Sequence, residues 1–338
     1  MTPRSALTAG KTGIFAAIGA FALCAVFLLM AGKNPFEATV VMILGAVGSL
    51  DGIYEVLTRA VPLALMGLGI AVAFRANIYN IGADGQFLIG AVVATAASLA
   101  LGDIGVLSLP WLLLAGAVGG AAYGAIAGWL RARFDANEII VTIMLNYVAL
   151  QFLGWVVRGP MQETVKIIPR SNPIPDSAFL PEIAMGQTHG GIFIAVALAL
   201  ILYAVLRFGS FGYRIDAVGE NRAAAEYGGI AATRVIVAAM AVSGAVCGLA
   251  GAVEVGGVFH RLEDNMGQGA GATAIAVALL ARLNPLYVPL TALLFGVLTV
   301  GAGALQRQMG VPFPLLWIIE AAVIFAFLLA GVRRARIA

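Results

Sequence analysis

Side chains able to do covalent or metal chemistry are few in this sequence and poorly spaced for it. Its two histidines, His189 and His260, stand far apart. No serine sits in a strand–turn–helix nucleophile pattern, and no His, Cys, Asp and Glu spacing matches a metal site. Cys24 and Cys247 both fall inside apolar runs, where they read as small packing residues rather than a disulfide or metal pair. Gly10-Lys11-Thr12 imitates the end of a phosphate-binding loop, but the first glycine of that motif would fall on Ser5 and no strand precedes it. The expectation is therefore of no catalytic residue, no metal ligand and no cofactor bound by this chain.

What remains are polar groups set among apolar ones. At membrane depth such groups are costly and so become functional candidates. Asn146 and Gln151 lie in one apolar run, where they can line a pathway or join helices by hydrogen bonds. Glu254 and Glu320 lie within runs near an outer surface, so an interfacial position competes with a role in transport. Asp84 and Gln86 follow a glycine at the start of another run. They can line a pathway or cap a helix N-terminus, where the dipole favours a carboxylate.

A different kind of candidate is "RIDAVGENRAAAEYGGI", residues 214 to 230, a charged, small-residue stretch between two apolar runs. Its second half predicts a short helix: Asn221 can cap it, Ala223 to Ala225 propagate it, and Gly228-Gly229 stop it. Small residues on one side and charges on the other suit either a partner's grip or an ordinary solvated loop.

The elements that must position these residues follow from composition. Of 338 residues, 61% are hydrophobic and 11% charged, with a mean hydropathy of +0.98. A soluble domain carries roughly 25% charge, so this reads as an integral membrane protein. Long strands of alternating polarity are missing, which disfavours a β-barrel. Although the net charge is +3, the basic residues sit singly at the ends of apolar runs, so nucleic acid is not an expected partner.

A helix needs roughly 20 apolar residues to cross a bilayer. Runs near that length predict ten spans, at 14–32, 60–74, 86–101, 110–130, 138–157, 191–207, 232–256, 270–283, 286–305 and 315–331. The first run is too long and lacks the cleavage site of a signal peptide, so it reads as a retained span. Residues 36–58 are apolar yet hold Asp51, Glu55 and several glycines, and are expected as a helix lying on or dipping into the outer face.

With the N-terminus inside, thirteen basic residues fall on inner segments and seven on outer ones, which predicts both ends in the cytoplasm. The polar loop 158–190, with five prolines, then lies outside, and 208–231 lies inside. The whole of 1–338 reads as one transmembrane domain.

Gly116, Gly120, Gly124 and Gly128 recur every fourth residue, which puts them on one helix face for close packing or, less readily, for lining a ligand path. "NIGADGQFLIGAVVA" from Asn80 and "NMGQGAGATAIAVALLA" from Asn265 echo each other faintly, each opening with an Asn, a Gly and a Gln before a small-residue helix. Five spans separate them, so the copies would have opposite topology, as in transporters built from two inverted halves.

These residues resemble a known family. "AVGENRAAAEYGGI" is similar to the cytoplasmic coupling segment of bacterial ABC importer permeases of the branched-chain amino acid, ribose and simple-sugar class. "GLGIAVAFRANIYNIGADGQFLIGA", "ANEIIVTIMLNYVAL" and "TAIAVALLARLNPLYVPLTALLFG" resemble the simple-sugar or nucleoside subgroup, in the same order from about 60 to 330.

The resemblance implies an all-α, type II-like permease of the bacterial inner membrane. It further implies a second, related permease as heterodimer partner, an ABC ATPase with two nucleotide-binding units that holds ATP and Mg, and a periplasmic or lipoprotein binding protein. ATPase coupling then falls on Arg214, Gly219, Glu220, Asn221, Arg222, Ala224 and Gly228. The translocation pathway falls on Asn80, Asp84, Gln86, Asn146, Glu254, Asn265 and Gln268.

One departure is "HRLEDNMGQGAG", where family members show a longer glycine–proline pattern, and here Glu263-Asp264 add charge near the outer mouth. The substrate implied first is a purine nucleoside, with a simple sugar or another small heterocycle as alternatives. A self-sufficient secondary transporter is the reading from a different class. It would call for paired ionisable groups at mid-membrane, whereas those here cluster near span ends.

Overall fold

The structure, a computed structural model, describes residues 25–30, 32–165, 167–183, 188–267, 269–311, 318 and 321. Gln268, Glu320, Cys24 and most of the expected spans 14–32 and 315–331 lie outside the described residues. Seven helices among them are long and apolar enough to cross a membrane.

Helix α1 (Pro35–Val47) begins on Asn34, whose side chain accepts from Phe36 N. Helix α2 (Leu50–Arg75) follows after a break at Gly48 and Ser49. Residues 36–58 are thus not one surface helix. Their second half is the start of a 26-residue span, because Ser49 Oγ accepts from Gly52 N at 3.1 Å and Asp51 occupies the first turn, where a helix favours a carboxylate.

Helices α3 (Ala83–Leu101), α4 (Ser108–Phe134), α5 (Glu138–Arg158) and α6 (Gly191–Phe208) match expected spans closely. Asn137 caps α5 by accepting from Ile139 N and Ile140 N. Helices α7 (Ser210–Glu220) and α8 (Arg222–Tyr227) fill the polar stretch, so the helix expected after Asn221 is present and a second precedes it.

Helix α9 (Ala232–Glu254) runs into a π-helical turn, Val255–Phe259. Helix α10 (Ala270–Leu280) has only 11 residues, about 16 Å at 1.5 Å per residue, and cannot by itself cross a bilayer core of roughly 30 Å. The span expected at 270–283 is therefore a half-length helix. Gly267 and Gly269, both at positive φ, delay its start, and left-handed Arg282 and Leu283 end it. Helix α11 (Val288–Met309) is the last one described in full.

The chain forms two compact units. In the unit of 60–292, helices α3, α4 and α9 pack through their glycines. A methyl group at Gly120 would stand 2.2 Å from Gly244 O, one at Gly124 2.5 Å from Met240 O, and one at Gly90 2.3 Å from Gly248 Cα. The four-residue glycine ladder is thus the seam of α4 against α9, where backbones approach with nothing between them. Cys247 is fully buried in the same region.

Of α2's most apolar window 78% is buried, against 28% for α5 and for α6, which leaves α2 interior and those two facing outward. In the second unit, Ala46, Val56 and Val300 form one buried cluster and Leu28, Ala38, Leu305 and Val311 another.

The loop after α5 is strapped down rather than loose. It carries a two-stranded antiparallel ribbon, β1 (Glu182–Ile183) with β2 (Thr188–His189). Ser171 N donates to Leu262 O at 2.9 Å, Ile174 N to His260 O at 2.9 Å, and Leu180 N to Gly256 O at 2.8 Å. Glu163, buried, accepts from Arg170 Nε at 2.8 Å and lies 3.6 Å from Arg261, while Arg158 pairs with Asp264 through both oxygens.

Candidate functional site

Two groups of residues expected to matter are brought together within the unit of 60–292, and each is built by a helix end. The first surrounds the start of α3. After Arg75 the chain leaves α2, passes 76–82 without regular structure, and re-enters a helix at Ala83. The polar groups freed by that break must be satisfied inside the protein.

Asn80 does much of this. It is fully buried, donates through Nδ2 to Gln86 Oε1 and Ser243 Oγ, both at 2.8 Å, and accepts from Gly82 N and Gln86 Nε2. Asn146, from α5, closes the same break: its Oδ1 accepts from Gly85 N at 2.8 Å and its Nδ2 donates to Ile81 O at 2.9 Å. Asn80, Gln86 and Asn146 are thus wired into the backbone of the α3 start, with side chains of three helices converging there.

Asp84, the second residue of α3, does not cap its own helix. Its Oδ1 accepts from Gly271 N at 2.7 Å, in the first turn of α10. A side chain at Gly271 would collide with it, since a Cβ there would lie 2.6 Å from Asp84 Cγ. The two segments that echo each other in sequence therefore meet N-terminus to N-terminus across one carboxyl group. Helix starts present free N–H groups and a positive dipole end, which suits an acceptor held between them.

Of the other residues expected in the pathway, Glu254 is buried at the last turn of α9 and Asn265 is exposed. Gln151 is exposed on α5. Ser243, which composition alone does not single out, is the third member of the Asn80 network. A hydroxyl in the middle of an apolar run was the available signal.

The second group is α7 and α8. Asn221, extended at φ −158°, separates them, and its Oδ1 accepts from Ala224 N at 3.0 Å. Arg222 pairs with Glu226 one turn on, at 3.2 Å. Gly228 ends α8 by donating to Ala224 O at 2.9 Å, and Gly229 follows at φ +85°.

Arg214, Glu220, Asn221, Ala224 and Gly228 are all exposed. Gly219 is not, and it faces the chain itself: a Cβ there would lie 2.1 Å from Arg75 O. Tyr227 is 98% exposed and Tyr213 71%, two aromatic rings whose exposure has no signal in the sequence pattern. The pairing of Arg75 with Asp216, Nε to Oδ1 at 2.9 Å and Nη2 to Oδ2 at 2.5 Å, was also missed, because nothing local joins residues so distant in sequence.

In the loop after α5, His189 is buried, and Nδ1 accepts from Gly191 N at 3.2 Å while Nε2 meets no partner among the described residues. Burial, and secondarily the nearby His260, pull its pKa down to about 4. His260 stacks on Phe179 with ring centres 3.9 Å apart, and burial lowers its pKa too.

Comparison with known proteins places the chain. The family model described as branched-chain amino acid transport system / permease component matches residues 52–332. The chain is 35% identical to the glucose ABC transporter permease protein TsgB13 of Haloferax volcanii, over 93% of this chain and 85% of that protein. It is 33% identical to the guanosine ABC transporter permease protein NupP of Bacillus subtilis, over 92% and 90%. To the nucleoside ABC transporter permease protein NupB of Lactococcus lactis it is 32% identical, over 92% and 88%. Each of those two bacteria also has a second guanosine or nucleoside permease to which the chain is similar over about seven-tenths of its length. No solved structure matches the chain.

Proposed function

This chain belongs to the branched-chain amino acid transport system permease family, and from that premise we propose that it is the membrane-spanning subunit of an ATP-driven importer of nucleosides, purine nucleosides foremost. The near full-length likeness to permeases named for guanosine and for nucleosides carries the substrate reading. It sits in the cytoplasmic membrane of a bacterium with both ends inside, works beside a second related permease, and receives substrate from a periplasmic or lipoprotein binding protein. ATP and Mg belong to a partner ATPase with two nucleotide-binding units, and this chain binds no cofactor.

The segment 208–231 is where that ATPase docks. A partner needs a surface that its own chain leaves open, and Arg214, Glu220, Asn221, Ala224 and Gly228 are exposed there together with Tyr213 and Tyr227. Tyrosines are common anchors of interfaces because they bury large area at low entropy cost. Arg222 is held by Glu226 and shapes α8. Gly219 acts on the inner side of the segment, against α2.

Substrate passes beside the junction of the 80–86 and 265–271 segments, with Asp84, Asn146, Glu254, Asn265 and Gln268 along the route and Asn80 and Gln86 keeping the broken helix in shape. Half-length helices whose N-termini meet at a polar group are a recurrent way to build such a passage.

A sugar is the second reading, favoured by the 35% identity to a glucose permease. Uptake of labelled guanosine and labelled glucose, in cells lacking this chain and in complemented cells, separates them. Loss and recovery of guanosine uptake, competed by unlabelled purine nucleosides and not by glucose, is the expected result. Recovery of glucose uptake alone would replace the nucleoside reading with the sugar one.

A further inference from the structure

Helix α7 is fastened to more of the chain than the two spans that flank it. Arg75, the last residue of α2, grips both carboxylate oxygens of Asp216. One turn further along α7, Gly219 lets the backbone come so near the same corner that any side chain would strike Arg75 O. Residues three apart share a helix face, so charge and close contact act on one surface.

The corner they hold is well made. Ile78 N donates to Ala73 O at 3.2 Å and Asn77 N to Phe74 O at 3.0 Å, with Asn77 at φ 56°. This is the paired closure in which a left-handed residue ends a helix. Helix α10 ends the same way, with Leu283 N to Ala278 O at 3.0 Å, Arg282 N to Leu279 O at 2.9 Å, and Arg282 at φ 53°. Asn77 and Leu283 line one cleft of about 470 Å³ together with Arg75, Asp216, Gly219 and Glu220. The C-terminal end of α7 therefore contacts the C-terminal corner of α2 and faces that of α10 across the cleft.

Those two helices are joined again at the pathway. From Asn77 the chain runs into the 80–86 segment, whose Asp84 holds Gly271 N in the first turn of α10. The contacts form a path from α7 through the α2 corner and Asp84 to the α10 start, and the far end of α10 faces α7 across the cleft.

We propose that Arg75 and Asp216 are positioning residues for energy coupling. Their ion pair, with the close contact at Gly219, ties the docking segment to α2 so that its displacement is carried along this path to the Asp84–Gly271 junction. The proposal rests on the docking role given to 208–231 above. The pair is 26% and 42% exposed, and an exposed ion pair adds little to stability. It is poorly placed to hold the fold together and well placed to pull on one corner.

The test uses the whole reconstituted transporter, both permeases with ATPase and binding protein, and reads ATP hydrolysed per labelled guanosine imported. Asp216→Asn and Arg75→Gln are expected to keep ATP turnover and heat stability while raising that ratio about fivefold or more, the lower bound of a typical coupling free energy. The exchanged pair, Arg75→Asp with Asp216→Arg, is expected to recover at least half of the loss. Gly219→Ala, which leaves both charges in place, should raise the ratio as the single charge variants do.

Single variants with the wild-type ratio would overturn the proposal. So would an exchanged pair no better than the singles, because each residue would then act alone. Failure of the docking role looks different: wild-type protein would import guanosine without any link to ATP hydrolysis, and the proposal would fall with it.

Discussion

Asp84 carries the sharpest consequence of any one side chain. Replacing it with alanine leaves Gly271 N without its acceptor in a buried place, a loss of about 1–3 kcal/mol. Asp84→Ala is therefore expected to be expressed and inserted but to import several-fold more slowly, while Asp84→Asn, which keeps an acceptor oxygen, retains most uptake. Equal uptake by both variants and wild type would remove the junction from the mechanism.

Asn80→Ala is expected to cost a similar amount by stranding Gln86 and Ser243, read as a lower midpoint of heat-induced unfolding in detergent. The sequence made Asn80, Asp84, Gln86 and Asn146 visible because polar groups in oil demand a reason. It did not reveal that Asp84 bonds to α10, since a hydrogen bond between residues so far apart has no local trace.

Helices were legible where periodicity and caps agree. The Gly116-to-Gly128 ladder predicted a close seam and found one in α9, so Gly120→Leu should break it. Overpacking typically costs about 1–3 kcal/mol, and here backbone rather than flexible side chain stands in the way. The expected outcome is loss of folded protein, while Ile140→Leu on the exposed face of α5 is tolerated.

Helix α10 shows what composition hides. Its run is apolar enough for a span, but left-handed residues at both ends cut it to half length. Residues 36–58 misled in the opposite sense, because acidic residues and glycines that suggest a surface helix are here the capped start of a long one.

The strapped loop after α5 adds a pH dependence. His189 is neutral and buried, with a pKa about 4 against an ordinary 6.5, so below 6.5 the unfolded chain binds a proton that the folded one refuses. Stability is then full above about 6.5 and falls as pH drops toward 4. Heat-unfolding midpoints measured from pH 7 to pH 4.5 should decline, and His189→Phe should flatten the decline. A profile unchanged by that substitution would contradict the assignment.

For the molecule entire, fold class was readable because a membrane span has a physical signature in one dimension, and the family through the resemblance of several segments in the same order. The path of contacts from α7 to the Asp84–Gly271 junction was not, as it depends on Arg75 meeting Asp216 and Gly219, and Asp84 meeting Gly271, from distant parts of the chain. The central claim is that chemical work from another subunit enters this chain at 208–231 and drives nucleoside inward.

Proteoliposomes holding both permeases, the ATPase and the binding protein test it most directly, with labelled guanosine outside and the ATPase facing inward. Accumulation of guanosine against its gradient when ATP is enclosed, and none with a non-hydrolysable analogue, is the predicted result. Accumulation without ATP, driven by a proton or sodium gradient alone, would contradict it.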